Sequence, residues 1–466
     1  MAAPVPSLAE ASAGIAAGTL SPVALTEAAL ARIEAQEPRL NAFITLTAER
    51  ARAAAAKAEA EIKAGRRIGP LHGIPYALKD IYDVKGVRTT AHSRVLLDNI
   101  ATADSVATEK LEAAGMVLLG KLATHEFARG GVNDALAFPR AKNPWNPAHF
   151  AGGSSSGSGA AVSSGMVALA MGSDTGGSIR LPAAFSGCVG LKPTYGRLSR
   201  RGVVPLSFGL DHTGPLTRTV EDCAMAMQAL SGFDPRDPGS ANQPVDDYLT
   251  GLKAGVKGMR LGYARAYGVE AGIDAEAQAA MDAAAQTLAA AGAEIVEITL
   301  PALRRFEAAC WTILHAESFA IHQQDLRKRP EAYGRVTFER IALGAFVTGP
   351  QYVQAQRLRH QLTAEVDALF SQVDGILCAP AHGAAPAAVD VDDGPWRRAQ
   401  PITAAFNVTG HPALCLPSGF AGNGMPLSLQ IVGRSFGEAE VLRIAQAFEQ
   451  ATEWHKARPP EATAPV

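Results

Sequence analysis

The sequence of 466 residues has little cysteine, no marked excess of either charge and no long hydrophobic run. Its five cysteines are odd in number and widely scattered, which argues against a disulfide framework or a CxxC metal site and favours reduced thiols in a cytoplasmic protein. Lys and Arg total 43 against 45 Asp and Glu, so a net charge of -2 gives no electrostatic case for nucleic acid. No stretch approaches the roughly 18 apolar residues that cross a bilayer, so no membrane contact is expected.

What is present is a pattern of alternating elements in a chain that is 47% hydrophobic and 19% charged, typical of a globular enzyme. Helical spacing covers about residues 7–64, where Ser21 and Pro22 predict a helix start. A strand-like run at 74–80, a helix at 104–114 and a strand at 116–120 follow. This alternation predicts an α/β fold, and because no linker stands out we expect one domain over 1–466.

The least ordinary feature is a Gly-Ser run that begins at Gly152. Eight consecutive residues, 152–159, are only Gly or Ser, and a second Gly-rich loop follows at 172–180. Glycine costs conformational entropy and serine buries little apolar area, so a core does not need such a run. The pattern predicts close approach of backbone to another group.

Three interpretations of the run come from the residues alone. Ser178 follows Thr175-Gly176-Gly177, so one loop could carry a nucleophile and amide donors for an oxyanion, although a helix-capping turn explains it equally well. Ser155 is the centre of a GxSxG match, but no apolar strand precedes it and none of the eleven histidines lies in a triad-like motif. A phosphate loop is excluded because no Lys-Ser or Lys-Thr pair follows the glycines.

The joint pattern of motifs resembles the amidase signature family. The matching segments are GGSSSGSGAAVSSGMVALAMGSDTGGSIRLPAAFSGCVGLKPT, Gly73-Ile74-Pro75 with Lys79-Asp80, Asn143-Pro144-Trp145-Asn146, Asp211-His212-Thr213-Gly214-Pro215 and Gly410-His411-Pro412, across roughly residues 70–435. The resemblance implies one large α/β domain with a mixed central sheet covered by helices on both faces. Within it we expect an N-terminal helical region at about 7–64, a signature core at about 70–235 and a variable, substrate-side helical region at about 304–370.

The resemblance also implies a Ser-Ser-Lys triad that needs no cofactor or metal. Ser178 would be the nucleophile, Ser154, after a cis Gly153-Ser154 bond, the bridging serine, and Lys79 the base. A lysine must be neutral to accept a proton, and burial among apolar neighbours favours that form. The further implied roles are an oxyanion hole at Thr175, Gly176, Gly177 and Ser178, support from Ser155, Asp174 and Arg180, and a substrate-binding segment at Ala128, Arg129, Gly130 and Gly131.

For the reaction, the resemblance implies an amidohydrolase that cleaves a carboxylic amide, or a related aryl amide, urea, carbamate or ester, through an acyl-enzyme. We expect a stand-alone amidase acting on linear amides, with a small-molecule substrate, no nucleic acid partner and a homodimer left open. The alternative is the ammonia-supplying component of a glutamine-dependent aminoacyl-tRNA amidotransferase. A catalytically dead binding protein is the third hypothesis, and the intact triad counts against it. Four residues of 304–370 are candidates for the leaving-group side or for the core: Trp311, His315, Tyr333 and Phe346.

Overall fold

A single mixed sheet of eleven strands runs through the computed structural model, which describes residues 3–131, 136–389 and 402–461. The remaining positions of the predicted 1–466 domain, namely 1–2, 132–135, 390–401 and 462–466, lie outside the described residues. The strands are β1 Phe43–Leu46, β2 Pro75–Lys79, β3 Val117–Leu122, β4 Leu169–Asp174, β5 Val189–Lys192, β6 His212–Thr217, β7 Arg260–Tyr263, β8 Glu294–Glu297, β9 Gly375–Cys378, β10 Ala413–Phe420 and β11 Pro426–Val432.

The strand order is β1-β3-β2-β4-β6-β5-β10-β11-β9-β7-β8. Strands β3, β2 and β4 are mutually parallel, as are β9, β7 and β8, and the strands between these two groups pair antiparallel. The sheet is therefore mixed, with a parallel segment at the amino-terminal side of the chain and another at the carboxy-terminal side.

Fourteen α-helices among the described residues flank the sheet. They are α1 Leu8–Ala16, α2 Pro22–Leu40, α3 Ala48–Lys63, α4 Val106–Ala113, α5 Ser156–Ser163, α6 Arg180–Ser186, α7 Val220–Leu230, α8 Arg265–Ala271, α9 Ala275–Ala290, α10 Leu303–Lys328, α11 Arg335–Ala342, α12 Gly349–Leu369, α13 Ala405–Val408 and α14 Glu438–Gln450. Helix α2 begins as the sequence predicts, because the Ser21 hydroxyl accepts a hydrogen bond from the Ala24 amide at 3.0 Å and Pro22 is the first helical residue.

The amino-terminal region differs in one respect from the helical prediction over 7–64. Strand β1 interrupts the helices and pairs antiparallel with β3. Its sequence, Phe-Ile-Thr-Leu, consists of aromatic, β-branched and large apolar side chains that suit a pleated surface, and this short signal was hidden between two Ala-rich helices.

Side chains alternate across the central strands and reach a different core on each side. Tyr76 and Leu78 of β2 pack into one hydrophobic cluster, while Ala77 packs into another. All five residues of β2 are buried, as expected for a strand in a parallel segment covered on both faces. The predicted α/β fold with helices on both sides of a mixed sheet is confirmed.

This topology brings two chemically important strand ends together. Because β2 and β4 are parallel neighbours, their carboxyl ends lie at the same edge of the sheet. Strand β2 ends at Lys79 and β4 ends at Asp174. Open α/β sheets place their ligand sites outside the carboxyl ends of such strands.

Candidate active site

Lys79 is the centre of a cluster of hydroxyl groups. Its side chain is fully buried, and Nζ lies 2.7 Å from Oγ of Ser154, 3.0 Å from Oγ of Ser155 and 2.9 Å from Oγ of Ser173. Burial lowers the pKa of Lys79 from 10.5 to about 7, although the carboxylates of Asp174 and Asp211 act in the opposite direction. At neutral pH a large fraction of this lysine is therefore an amine with a lone pair, able to accept a proton from a serine.

Ser154 and Ser155 stand side by side but make different contacts. The hydroxyl of Ser155 donates to the Ser173 carbonyl and accepts from the Ser173 amide, each at 3.2 Å. The peptide bond between Gly153 and Ser154 is cis. Among the described residues no histidine side chain forms a hydrogen bond with Ser154, Ser155 or Ser178, so the GxSxG interpretation with Ser155 as nucleophile lacks its base.

Ser178 lies in the turn between β4 and α6 and is more exposed than the lysine and the serines behind it. Its carbonyl accepts a hydrogen bond from the Ser155 amide at 3.2 Å, which joins the two Gly-Ser loops. Ser178 is half-buried, whereas Ser154 is 2% exposed and Lys79 is fully enclosed. Ser178 is therefore more exposed than the serines whose hydroxyls contact Lys79, and an incoming carbonyl can reach it more readily.

The Asp174 carboxylate organises the turn that carries Ser178. It accepts hydrogen bonds from the amides of Gly177 at 2.7 Å and Ile179 at 3.1 Å and forms an ion pair with Arg180, Nη2 to Oδ1, at 2.9 Å. Burial alone would raise the pKa of Asp174, but the charge and hydrogen bonds of Arg180 outweigh it and hold that pKa below its ordinary value. The carboxylate stays ionised and fixes the loop from within.

Arg180 connects this turn to the far part of the chain. Its guanidinium donates to the carbonyl of Thr403 and the amide oxygen of Gln430, both at 2.8 Å, and to the amide oxygen of Asn407 at 2.7 Å. The Asn407 amide in turn donates to the Asp174 side chain at 2.8 Å. Because every nitrogen of this fully buried guanidinium has an acceptor, the ion pair is rigid.

The predicted oxyanion donors differ in whether their backbone amides already have a hydrogen-bond partner. The Gly177 amide points to Asp174 and is already occupied, so it cannot serve an oxyanion as the sequence reasoning expects. The amides of Gly176 and Ser178 have no hydrogen-bond partner within the described ranges. Thr175 contributes through its hydroxyl, which donates to Asp211 at 2.6 Å and fixes the start of the loop.

The glycines of the run are explained by close packing. A Cβ at Gly153 would lie 2.0 Å from the His125 ring, one at Gly152 2.5 Å from Cα of Pro182, and one at Gly157 2.5 Å from the Ala123 amide. Such distances exclude any side chain without movement of the neighbouring groups. The close approach that the sequence predicts is therefore made largely by the protein's own chain.

The predicted substrate-binding segment follows β3 in a short 3-10 turn, Glu126–Ala128. Ala128 has a positive φ of 57° and lines a cavity beside Ser173. Arg129 is 9% exposed, and the Gly130 amide donates to the Glu126 carbonyl at 2.9 Å. Gly131 is buried.

The cavity beside Ser173 has a volume of about 510 Å³. Its wall is built by the segments 195–213 and 236–239, together with Ile81, Ala128 and Ser173, and includes Tyr195, Arg200, Val204, Phe208, Asp211, His212 and Thr213. The region 304–370, expected on the substrate side, contributes none of its lining residues. Of the aromatics proposed there, Tyr333 is buried against His322 and Phe346 is 81% exposed.

His212 is a site residue that sequence reasoning did not assign. Its Nδ1 contacts the Leu210 carbonyl at 2.7 Å, and burial lowers its pKa well below the ordinary value, so the ring is neutral. It lies in the Asp211-His212-Thr213 segment, which matches the family pattern, but the pattern alone does not assign a role to this histidine.

Three comparisons with known proteins bear on this site. The amidase family model matches residues 24–442. The chain belongs to the amidase family. A glutamyl-tRNA(Gln) amidotransferase subunit of Geobacter metallireducens is 41% identical over 462 residues, which cover 94% of this chain and 95% of that protein.

Solved structures agree with this family assignment. One describes a vestigial protein complex that reveals the evolutionary origins of an s-triazine catabolic enzyme; it is 36% identical, with a TM-score of 0.90 over 96% of this chain and 98% of that chain. The corresponding glutamyl-tRNA(Gln) amidotransferase subunit of Thermotoga maritima is 31% identical, with a TM-score of 0.81 over 96% and 94% of the two chains.

These relatives overturn two expectations. The stand-alone amidase acting on linear amides is wrong, because the similar curated proteins of the amidase family are amidotransferase subunits. The small-molecule substrate without a nucleic acid partner is wrong for the same reason, since those subunits are named for glutamyl-tRNA(Gln). Attack on an amide carbonyl needs the same triad in both classes, and the net charge of one protein does not report what its assembly binds.

Membrane spans and metal clusters can be assessed for the described ranges alone. No helix in 3–131, 136–389 or 402–461 is both long and apolar enough to span a bilayer. Within those same ranges, no group of three or more His, Cys, Asp or Glu side chains is arranged to hold a metal ion. All five cysteines lie in these ranges, and each is a buried free thiol.

Proposed function

We propose that this chain is the amide-cleaving component of a glutamine-dependent amidotransferase that acts on glutamyl-tRNA(Gln). It hydrolyses the side-chain amide of glutamine to glutamate and ammonia, and the ammonia displaces the phosphate from a tRNA-bound glutamate side chain that ATP has activated. The contact of Lys79 Nζ with Ser154 Oγ at 2.7 Å carries the hydrolytic part of this proposal. The end-to-end likeness to amidotransferase subunits supports the transfer part.

The reaction begins with attack of Ser178 Oγ on the amide carbonyl carbon. Ser178 gives its proton to Ser154, and Ser154 gives its own proton to neutral Lys79. The negative charge that develops on the carbonyl oxygen is stabilised by the free amides of Gly176 and Ser178. Ser155 and Ser173 hold the amine of Lys79 in place through their hydroxyl groups.

The second half of the reaction transfers the proton to the leaving nitrogen and then releases glutamate from Ser178. The relay protonates the amide nitrogen, the carbon-nitrogen bond breaks, and ammonia leaves while the acyl group stays on Ser178 as an ester. Water then attacks the ester, loses its proton to the relay and releases glutamate. Asp174 and Arg180 act as positioning residues, because they hold the turn of Ser178 and touch no reacting atom.

The proposal assigns a role to two regions that the sequence distinguishes, 70–235 and 304–370. Residues 70–235 supply Lys79, both serines and the oxyanion loop. Residues 304–370, which form α10, α11 and α12, cover the segment after β3 and shape the substrate side around Arg129 rather than the cavity beside Ser173.

The test follows nitrogen from glutamine to tRNA. The tagged chain is purified from its own cells with the proteins that remain bound, and glutamine labelled with ¹⁵N in the side-chain amide is supplied together with glutamyl-tRNA(Gln) and ATP. We expect labelled ammonia and labelled glutaminyl-tRNA(Gln). Ser178→Ala abolishes both products, whereas Ser163→Ala, at a buried serine outside the site, retains them.

The outcomes separate the two parts of the proposal. Ammonia release without labelled tRNA contradicts the transfer role. Equal ammonia release by wild type and Ser178→Ala contradicts the nucleophile assignment.

A further inference from the structure

Arg218 is a buried cation at a second cavity, on the edge of the sheet opposite to Lys79. The residue follows β6 directly and is 8% exposed. The cavity has a volume of about 360 Å³, and its wall includes Ala168, the residue before β4. Strand β4 runs from this edge to Asp174 in 6 residues, so at about 3.3 Å per residue the cavity lies about 20 Å from the reaction centre. It is therefore separate from the site of amide attack.

The guanidinium of Arg218 is only partly satisfied. Its Nη2 donates to the carbonyl of His455 at 2.6 Å and to that of Ala457. Its Nε and Nη1 are buried and have no hydrogen-bond partner among the described residues. Within the same ranges, Arg218 is the only arginine with two buried nitrogens that lack a partner. Such donors are costly to bury unless an acceptor joins them.

No carboxylate of the described residues forms an ion pair with Arg218. Two buried carboxyl groups, Glu449 and Asp222, act on its charge from nearby. They accept hydrogen bonds from the amides of Val220 at 3.0 Å and Ala9 at 3.1 Å respectively, and burial raises the pKa of each to about 7. Each therefore carries only part of a negative charge at neutral pH. Burial lowers the pKa of Arg218 to about 10, as expected for a cation without full compensation.

Two fully buried cations elsewhere in the chain have the partner that Arg218 lacks. Arg180 donates to the Asp174 carboxylate through Nε at 3.0 Å and Nη2 at 2.9 Å. Lys121 lies 2.9 Å from the Asp80 carboxylate. In both places a carboxylate of the chain itself neutralises the buried charge. By that comparison, the cavity beside Arg218 lacks an anion.

The segment 455–458 completes the polar side of the cavity. The Nδ1 of His455 is buried and has no partner within the described ranges, and because burial lowers the pKa of His455 the ring is neutral and can donate one hydrogen. Arg458 is exposed, and its Nη1 donates to carbonyls of its own segment. Lys456 and Glu10 are exposed and of opposite charge, so the two guanidinium groups leave the lining positive.

The other side of the cavity is apolar. It is formed by the amino-terminal segment, the end of α5 and the turn before β4, through Pro4, Val5, Pro6, Val162, Val167 and Ala168. The volume of about 360 Å³ lies within the range of about 300–1,000 Å³ that is typical of small-molecule sites. An inorganic ion alone would leave the apolar wall uncovered. The cavity therefore suits a molecule with an anionic end and an apolar part.

We propose that this cavity binds a small organic anion whose phosphate or carboxylate group accepts hydrogen bonds from Arg218 and His455, and whose apolar part contacts the segment 4–6. Because the cavity is walled by both 4–10 and 455–458, the bound anion ties the amino-terminal and carboxy-terminal segments to each other. It takes no part in amide cleavage. The inference therefore goes beyond the proposed function and does not depend on it.

The experiment is isothermal titration calorimetry of the full chain with four probes. Phenyl phosphate and benzoate carry an anionic group on an apolar ring, inorganic phosphate lacks the ring, and benzyl alcohol lacks the charge. We expect one site per chain for phenyl phosphate, benzoate or both, with an affinity at least about 10-fold higher than that of inorganic phosphate, because the ring is buried. Benzyl alcohol should bind at least about 10-fold more weakly than the better anion, and the preferred anion identifies the charged group.

Variants locate the bound anion. Arg218→Met removes the guanidinium and should weaken binding of the better probe by at least about 10-fold. His455→Phe keeps a ring but removes its hydrogen-bond donor and should weaken binding by about 5-fold. Arg335→Met removes an exposed arginine that pairs with Glu339, far from this cavity in the chain, and should leave Kd within about 2-fold. Thermal melts followed by circular dichroism show whether each variant is folded.

Each outcome supports or overturns the inference. Weaker binding in Arg218→Met and His455→Phe, with Arg335→Met unchanged, supports it. If wild type binds neither phenyl phosphate nor benzoate, the inference is wrong whatever the variants do. Wild-type affinity in His455→Phe and in a folded Arg218→Met overturns it as well, since the anion then lies elsewhere; where Arg218→Met does not fold, His455→Phe decides alone. Inorganic phosphate that binds as tightly as both organic probes overturns the assignment of an organic ligand.

Discussion

The low pKa of Lys79 predicts a pH dependence of stability that Lys79→Met must remove. In the folded protein the pKa is about 7, against 10.5 for an ordinary lysine. Between these two values the unfolded chain holds a proton that the folded chain lacks, so the free energy of unfolding rises with pH. It is lowest below pH 7, where both states are protonated, and the cost of burial disappears above pH 10.5.

The magnitude follows from the shift. A pKa shift of one unit corresponds to about 1.4 kcal/mol, so between pH 7 and pH 9 this group contributes a rise of about 2 kcal/mol. Lys79→Met also removes one hydrogen-bond partner from each of three hydroxyls, but that loss does not depend on pH. The difference in stability between wild type and variant should therefore change by about 2 kcal/mol in favour of wild type.

The assay is urea unfolding of both proteins at pH 7, 8 and 9, with the difference taken at each pH. Subtraction cancels the titration of other groups that both proteins share. The same titration predicts that kcat/KM of wild type rises through pH of about 7 and then reaches a plateau. A stability difference that stays constant from pH 7 to pH 9 would refute the reasoning.

Three further predictions concern the two Gly-Ser loops. Asp174→Asn breaks a fully buried ion pair and should lower the free energy of unfolding by about 3–5 kcal/mol; because the folded-state pKa lies below 3.8, thermal melts should show the difference down to pH about 4 and a decline only below it. Gly177→Ala places a Cβ 2.1 Å from the Thr403 hydroxyl at a φ of +131°, so steady-state kinetics should show kcat at least about 10-fold lower, while Gly251→Ala, where nothing lies within 4 Å, stays at the wild-type rate. Gly153→Ala should destabilise the protein in urea by about 1–3 kcal/mol or more, since its Cβ would overlap His125, and a wild-type midpoint would contradict that packing.

Much of the fold could be predicted because its signals are local. Alternating runs predict β2, α4 and β3 to within two residues at each end, and Ser21-Pro22 marks the start of α2. Strand β1 was missed because four residues between Ala-rich helices give too short a pattern. The sheet order was out of reach, since β4 pairs with β6 and β5 with β10 through contacts between distant segments.

The site shows a similar division. The sequence motif predicts that Lys79 and the serines act together. In the folded chain Lys79 Nζ lies 2.7 Å from Ser154 Oγ. What the motif could not reveal is that the Asp174 carboxylate captures the Gly177 amide, because that depends on side-chain direction. The reason for Gly153 was equally hidden, since His125 is 28 positions away in the chain.

The substrate side was the least predictable part. The amide chemistry is the same for a free amidase and for an amidotransferase component, so the triad residues could not distinguish them. The composition gives only an overall charge of -2, whereas the structure places the Arg340 side chain of α11 against the carbonyl of the buried Arg129. Such a feature depends on which helices pack over the turn after β3.

The most direct test of the central claim is to locate the covalent bond. The chain is treated with a small fluorophosphonate, digested and examined by mass spectrometry, with Lys79→Ala as the companion variant. The proposed relay predicts an adduct on Ser178 alone, formed at least about 100-fold more slowly without Lys79, because removal of a general base costs about 10²–10⁴ in rate. An adduct on Ser155, or labelling that is unchanged in Lys79→Ala, would contradict it.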